Sequence, residues 1–241
     1  MDALIYTAMS GAERAMKAQQ VHANNLANLE TPGFRADMEL ATARTVEGYG
    51  YDARHLSELH ASTVSARQGA LRQTGRELDV AVVGEGYFTV RSGNGEAYTR
   101  AGNFTLDAEG GLLLNGRQVL GDGGEIVLPP HTRVAIVQDG TVSIQPPGQT
   151  ELQAVDRLKL VRPQAAEMTK NTSGLLVSRS GEELAADETV RVSAGHLEGS
   201  NVSAVEEMVA TLAVTRDFEV QMKLLGAADG MAEAGNRLMR G

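Results

Sequence analysis

The chain has 241 residues, of which 42% are hydrophobic and 4% aromatic, with no Trp and no Cys. That apolar content supports a packed core in one or two domains and excludes a disordered chain, while the lack of Cys excludes disulfides, thiolate nucleophiles and Cys metal sites. A net charge of −9 with no Lys/Arg run argues against a nucleic-acid interface, which would carry a basic patch. The 27 glycines against 6 prolines suit many short strands joined by tight turns.

Residues 2–28 read as an amphipathic helix, with Ile5, Met9, Ala12, Met16 and Leu26 recurring at helical spacing. Asp2 sits where a first-turn acid helps, and Gln19, Gln20, Asn24 and Asn25 place amides on the apolar side. Pro32 and Gly33 end the helix, because proline cannot continue it and glycine tolerates the turn. The opening segment lacks the basic start and long apolar core of a signal peptide. No apolar run approaches the roughly 20 residues that span a bilayer, so a membrane-inserted chain is not expected.

Residues 36–70 show no clear period and contain Gly48-Tyr49-Gly50-Tyr51, which reads as an extended connector. From 71 to 198 the pattern is β. Runs of β-branched and aromatic residues flank Gly84-Glu85-Gly86, where a hairpin turn is expected. Asn115-Gly116 and Asp139-Gly140 are further hairpin signals, because type I′ turns need positive φ at both central residues. Val134 and Ile136 before Asp139, and Val142 and Ile144 after it, alternate as two half-buried strands. Segments 157–161 and 189–192 add strands, giving a sandwiched or closed antiparallel domain.

Residues 202–239 read as a second helix whose stripe is Val205, Met208, Val209, Leu212, Phe218, Met222 and Leu225. Gly226, Gly230 and Gly235 each weaken it by about 1 kcal/mol relative to Ala, and they bare the backbone to a neighbouring helix. The expected fold class is therefore α+β: a terminal-helix layer from 1–35 and 199–241, the connector 36–70, and a central antiparallel β-rich domain over 71–198. Two orphan apolar stripes at opposite ends of a chain must be buried against each other or against other copies.

Signals of chemistry are weak. The histidines lack metal-ligand spacing, no G-x-S-x-G elbow occurs, and Gly84-Glu85-Gly86 lacks the third glycine and helix of a dinucleotide site. Asp79 reads as a structural acid paired with Arg76 or Arg100 rather than a catalytic one. No enzyme activity, cofactor or metal is expected. An enzyme or carbohydrate-binding β domain with helical decorations would need a polar cleft with shifted acids.

Four stretches, N-N-L-A-N-L-E-T-P-G-F-R, L-D-V-A-V-V-G-E-G-Y-F-T-V, Y-T-R-A-G-N-F-T-L-D and L-E-G-S-N-V-S-A-V-E-E-M, occur in order along the chain. Together they resemble the flagellar axial protein family of rod and hook subunits. The opening segment favours a proximal rod subunit over a distal one, and the length of 241 residues disfavours the hook subunit, which has an extra outer domain. The resemblance implies subunits that leave through the flagellar type III export apparatus without a cleaved signal. They then polymerise with copies of themselves and other rod proteins into a hollow, torque-transmitting tube across the periplasm. Asn24, Asn25, Leu26, Asn28, Pro32, Gly33 and Phe34 match its first motif, and Ser200, Asn201, Val202, Val205 and Met208 its last. With the stripe residues Ile5, Met9, Met16, Leu212, Met222 and Leu225, these form the expected assembly interface.

Overall fold

The computed structural model describes residues 2–45, 55–93 and 95–240. The chain divides into two compact units. One holds Met1–Ala27, Asp37–Ser62 and Ser203–Gly241; the other holds Asn28–Ala36 and Thr63–Val202.

The first unit is built on two helices, α1 (Asp2–Ala27) and α2 (Ala204–Arg240), within two residues of the expected bounds. They pack against each other. Gly11 faces Gln221, and His22 faces Glu207, so the helices run antiparallel. Along α1 the sheltered positions include Ala8, Gly11, Ala15, Ala18, His22 and Asn25, with Ala12 buried beside them. Along α2 they include Glu207, Thr211, Val214, Phe218, Gln221, Leu225, Ala228 and Ala232. Steps of three and four alternate on both, which is the 3.5-residue repeat of a left-handed coiled seam. The α1 side is all small residues over its first three turns, so the backbones approach closely. A Cβ on Gly11 would lie 2.8 Å from Gln221 Cδ.

The stretch expected to be an unpaired connector instead contains two strands, β1 (Asp37–Thr45) and β2 (His55–Val64), paired as a two-stranded sheet. Thr and Ser alternating with apolar residues hid them, because neither face is consistently hydrophobic. The Gly48–Tyr51 segment lies outside the described residues.

The second unit is made of short antiparallel strands. Its widest sheet has five, in the order Leu160–Val161, Tyr87–Ser92, Gly95–Thr99, Leu176–Ser178 and Met168–Lys170. The Asp139-Gly140 hairpin forms, with Val134 opposite Ile144 and Ile136 opposite Val142, but Gly140 alone has positive φ, so its turn is not the expected type I′. Asn115 and Gly116 both have positive φ and join Leu112–Leu114 to Arg117–Gln118. Gly84-Glu85-Gly86 is not a hairpin. Val80–Val83 pairs with Arg191–Ala194, whereas Tyr87–Ser92 pairs with Gly95–Thr99 and Leu160–Val161. The glycines turn a corner between sheets, at φ 77° and 135°, and a Cβ on Gly86 would meet Val190 at 2.7 Å.

The core of this unit gathers Val80, Val82, Phe88, Phe104, Leu112, Leu114, Ile126, Val142 and Leu158 from most of these strands. Phe88 and Phe104 meet edge-to-face with ring centroids 5.2 Å apart. A smaller cluster surrounds Tyr98, Met168 and Leu176. The Tyr98 hydroxyl donates to Glu96 Oε2 at 3.1 Å and accepts from the Leu184 N–H at 2.9 Å. Burial pushes this phenol from 10.0 up to about 12. A raised phenol stabilises the fold fully below its unfolded value, and that contribution is lost as pH rises through the folded one. Urea midpoints of the wild type are therefore expected to fall between pH 10 and about 12, and Tyr98→Phe to lack that step. Parallel pH curves for the two proteins would remove Tyr98 as the cause.

Candidate assembly interface

The expected interface residues separate into two groups. Ile5, Met9, Met16, Val205, Met208, Leu212 and Met222 are exposed; Leu212 is 62% exposed and Val205 72%. They lie off the seam between α1 and α2, which α1 lines with small residues over its first turns. Leu225 is half-buried in the seam. Apart from Phe218 and Leu225, most of the large apolar side chains of both helices therefore remain outside the chain's own packing. Sequence reading left the two stripes to meet each other or other copies; within the chain their large residues do not cover each other.

The exposed face of α2 is longer than the sequence suggested. Val209, Ala213, Val220, Leu224, Ala227, Met231, Ala234 and Leu238 follow one another at steps of three, four or seven and are all exposed. On α1 the matching stripe is Ile5, Met9 and Met16, with Tyr6 beside it, also exposed. Each helix thus carries two faces with a helical repeat: one occupied, one open. A Cβ on Gly226 or Gly230 would meet nothing within 4 Å.

The remaining expected residues are held inside the chain. Asn25 is buried and satisfied: its Nδ2 donates to the Asp37 carbonyl and to Glu207 Oε1, both at 3.0 Å, and its Oδ1 accepts the Asp37 N–H at 2.8 Å. Asn24 Nδ2 donates to Asp37 Oδ2 at 2.8 Å, and Leu26 is half-buried. His22 Nδ1 lies 2.5 Å from Glu207 Oε2, completing a polar end to the alanine seam. The amides of this motif thus bind the first unit's own strand and helix.

In the β unit the two family-like motifs meet each other. Asn28 Oδ1 accepts from the Thr31 hydroxyl, and Pro32 and Gly33 follow in a turn at φ 68°. A Cβ on Gly33 would sit 2.0 Å from the Ala101 nitrogen, so only glycine fits. The Gly33 N–H donates to the Glu198 carbonyl at 2.8 Å, and the Asn201 N–H to the Phe34 carbonyl at 3.2 Å. Asn201 Oδ1 accepts from the Ala36 N–H, and its Nδ2 donates to the Arg67 carbonyl, both at 2.7 Å. Lys170 Nζ lies 4.0 Å from the Phe34 ring centroid. Ser200 accepts the Val202 N–H.

Beneath these contacts lies a charged cluster that sequence reading missed. Arg35 Nη2 and Arg100 Nη1 reach Glu198 at 3.0 and 2.9 Å, with all three side chains at most 3% exposed. Arg100 also donates to the carbonyls of Val82 and Gly84, and its guanidinium stacks over Tyr87. Burial lowers the proton affinity of Arg100, opposed by the Glu198 charge. Asp79 pairs with Arg76 at 3.5 Å, one of the two partners expected.

Among the described residues no catalytic constellation accompanies this. The described depressions, of about 170, 400 and 320 Å³, adjoin one another around residues 183–188. Their acid Asp187 is held below its ordinary value by hydrogen bonds from Thr189, the opposite of a general acid's shift. Among the described residues no three His, Asp or Glu side chains converge as metal ligands, and no helix is long and apolar enough to cross a membrane.

One unit that holds helices from both chain ends, and a second, separately cored β unit, are the parts of a structural subunit of the flagellar axial type. Family models agree from end to end: a flagella basal body rod protein domain over residues 5–35, a FlgE/F/G D1 domain over 81–144 and a FlgEFG C-terminal domain over 193–238. The flagellar basal-body rod protein FlgF of Salmonella typhimurium is 38% identical over 99% of both chains, as is that of Escherichia coli. The rod protein FlgG of Borreliella burgdorferi is 30% identical over 98% of both. The chain belongs to the FlgF-like flagellar basal-body rod protein family, whose members are structural proteins rather than enzymes.

Proposed function

We propose that this chain is a proximal rod subunit that joins its neighbours through the exposed apolar faces of α1 and α2. The observation that carries the reading is the double-faced helix: one repeat is filled within the chain, and a second repeat of large apolar residues stays in water. An interface that uses different patches on the two partners and does not close yields an open helical polymer. The subunits would pass through the flagellar type III export apparatus without a cleaved signal. They would assemble with copies of themselves and other rod proteins across the periplasm, and carry torque along a hollow tube.

The absence of cysteine makes the test clean. Met9→Cys and Met222→Cys chains, incorporated into basal bodies and treated with a short thiol cross-linker, are expected to give inter-chain products. Ala15→Cys, at the seam and 7% exposed, is expected to give none. A distal rod or hook-type role would show the same cross-links but in distal rather than proximal fractions. Monomers throughout at Met9 and Met222 would overturn the interface.

A further inference from the structure

The cluster that ties residues 28–36 to residues 197–202 carries more positive than negative charge. Two guanidiniums share the Glu198 carboxylate, and Arg35 Nε, Arg35 Nη1 and Arg100 Nε have no hydrogen-bond partner. Glu198 also binds backbone on both sides: Oε1 accepts the Gly69 N–H at 2.9 Å, and its carbonyl accepts the Gly33 N–H at 2.8 Å. Beside it, the Gly199 N–H donates to the Ala70 carbonyl. One residue therefore joins three separate passages of chain to the end of the Gly95–Thr99 strand.

None of these passages contributes to the main hydrophobic core, whose residues run from Val80 to Val192. The clasp is held by backbone hydrogen bonds and buried charge, while the core is held by apolar burial. Such differences divide a fold into parts that open separately. The partners are also far apart: Ala36 and Asn201 are separated by 165 residues. Closing a contact of that separation is slow unless the intervening chain is already compact. Without Glu198 in place, Arg35 and Arg100 would be two buried cations with no counter-charge, a state more costly than leaving them in water.

We propose that the Arg35–Glu198–Arg100 cluster is a clasp that closes last, with Glu198 as its key. The core of the β unit forms first; residues 28–36 and 65–70 lock onto it only when residues 197–202 dock. A chain that appears N-terminus first keeps Arg35 and its passage open until its final segment arrives. The signature residues Gly33, Phe34 and Asn201 act within the chain as the jaws of this clasp.

The test is pulsed hydrogen exchange during refolding of the full wild-type chain. Amides of Leu112, Val119 and Ile126, bonded within the core region, are expected to be protected about tenfold sooner than those of Gly33, Gly69 and Asn201. Simultaneous or earlier protection of the clasp amides overturns the proposal. Native-state exchange tests the charge logic. Glu198→Gln strands two cations, whereas Arg35→Met leaves a balanced Arg100–Glu198 pair. Glu198→Gln should speed exchange at Gly33, Gly69 and Asn201 about 100-fold and leave Leu112 and Ile126 nearly unchanged, with Arg35→Met below about tenfold. The double variant should fall back toward Arg35→Met. Loss of core protection in Glu198→Gln, or equal effects of the two single variants, would mean that the cluster is part of the core and not a clasp.

Discussion

A chain carrying Leu212→Asp folds normally and fails to enter a rod. In the single chain Leu212 is 62% exposed and makes no part of the α1–α2 seam, so the carboxylate stays hydrated and costs little. Once covered by a neighbouring subunit it would be buried without a partner, at about 3 kcal/mol or more for each contact. A helical polymer repeats that penalty at every equivalent position. The expected result is lost motility and no recoverable incorporation into basal bodies, with the circular dichroism spectrum of the purified chain unchanged. Normal motility would remove this face from the interface. Lost motility with a collapsed spectrum would show that Leu212 supports the fold itself.

Gly102→Ala produces the largest expected loss of stability. The glycine lies in the Y-T-R-A-G-N-F-T-L-D stretch and needs no unusual φ; its requirement is space. A Cβ there would sit 1.6 Å from the Val80 carbonyl oxygen and 3.2 Å from the Phe88 ring. The Val80 N–H also donates to the Gly102 carbonyl at 2.9 Å, so relief of the clash breaks that contact and parts the core strand beside it. No flexible side chain can move aside instead. The expected destabilisation is about 4 kcal/mol or more, against a gain of under about 1 kcal/mol from removing a glycine. Gly226→Ala, on an exposed helical face with nothing within 4 Å, is the control and should stabilise by about 1 kcal/mol. A Gly102→Ala urea midpoint close to wild type would contradict the packing described around Val80.

What was legible in the sequence follows from the range of the forces involved. Both helices were readable to within two residues, because proline, glycine and the apolar period act locally. Asn115-Gly116 and Asp139-Gly140 declared their turns for the same reason. Gly84-Glu85-Gly86 misled, because the same glycines serve a hairpin and a corner between sheets, and only the distant partners 191–194 decide between them. The α1–α2 seam was missed because alanine contributes little to an apolar stripe, although Ala8, Ala15 and Ala18 stand at coiled-coil spacing. Arg100 was marked only as a partner for Asp79, and nothing in the sequence joined it to Arg35 and Glu198. A buried ion cluster joins residues that a single sequence never brings side by side.

The way the β unit is fastened has a mechanical consequence. The chain leaves α1 at residue 28 and approaches α2 at residue 202, and these two strands of traffic are tied to each other by Gly33–Glu198 and Phe34–Asn201. Once the α1–α2 seam has unzipped, tension drawn through the two ends of the chain is carried across that short bridge. Residues 35–197, between the two sides of the bridge, are shielded from that load until it parts. The hydrophobic core would bear load only after the bridge parts, so a pulling experiment on the two termini should first unzip the α1–α2 seam, then yield at the bridge, and only then extend the β unit.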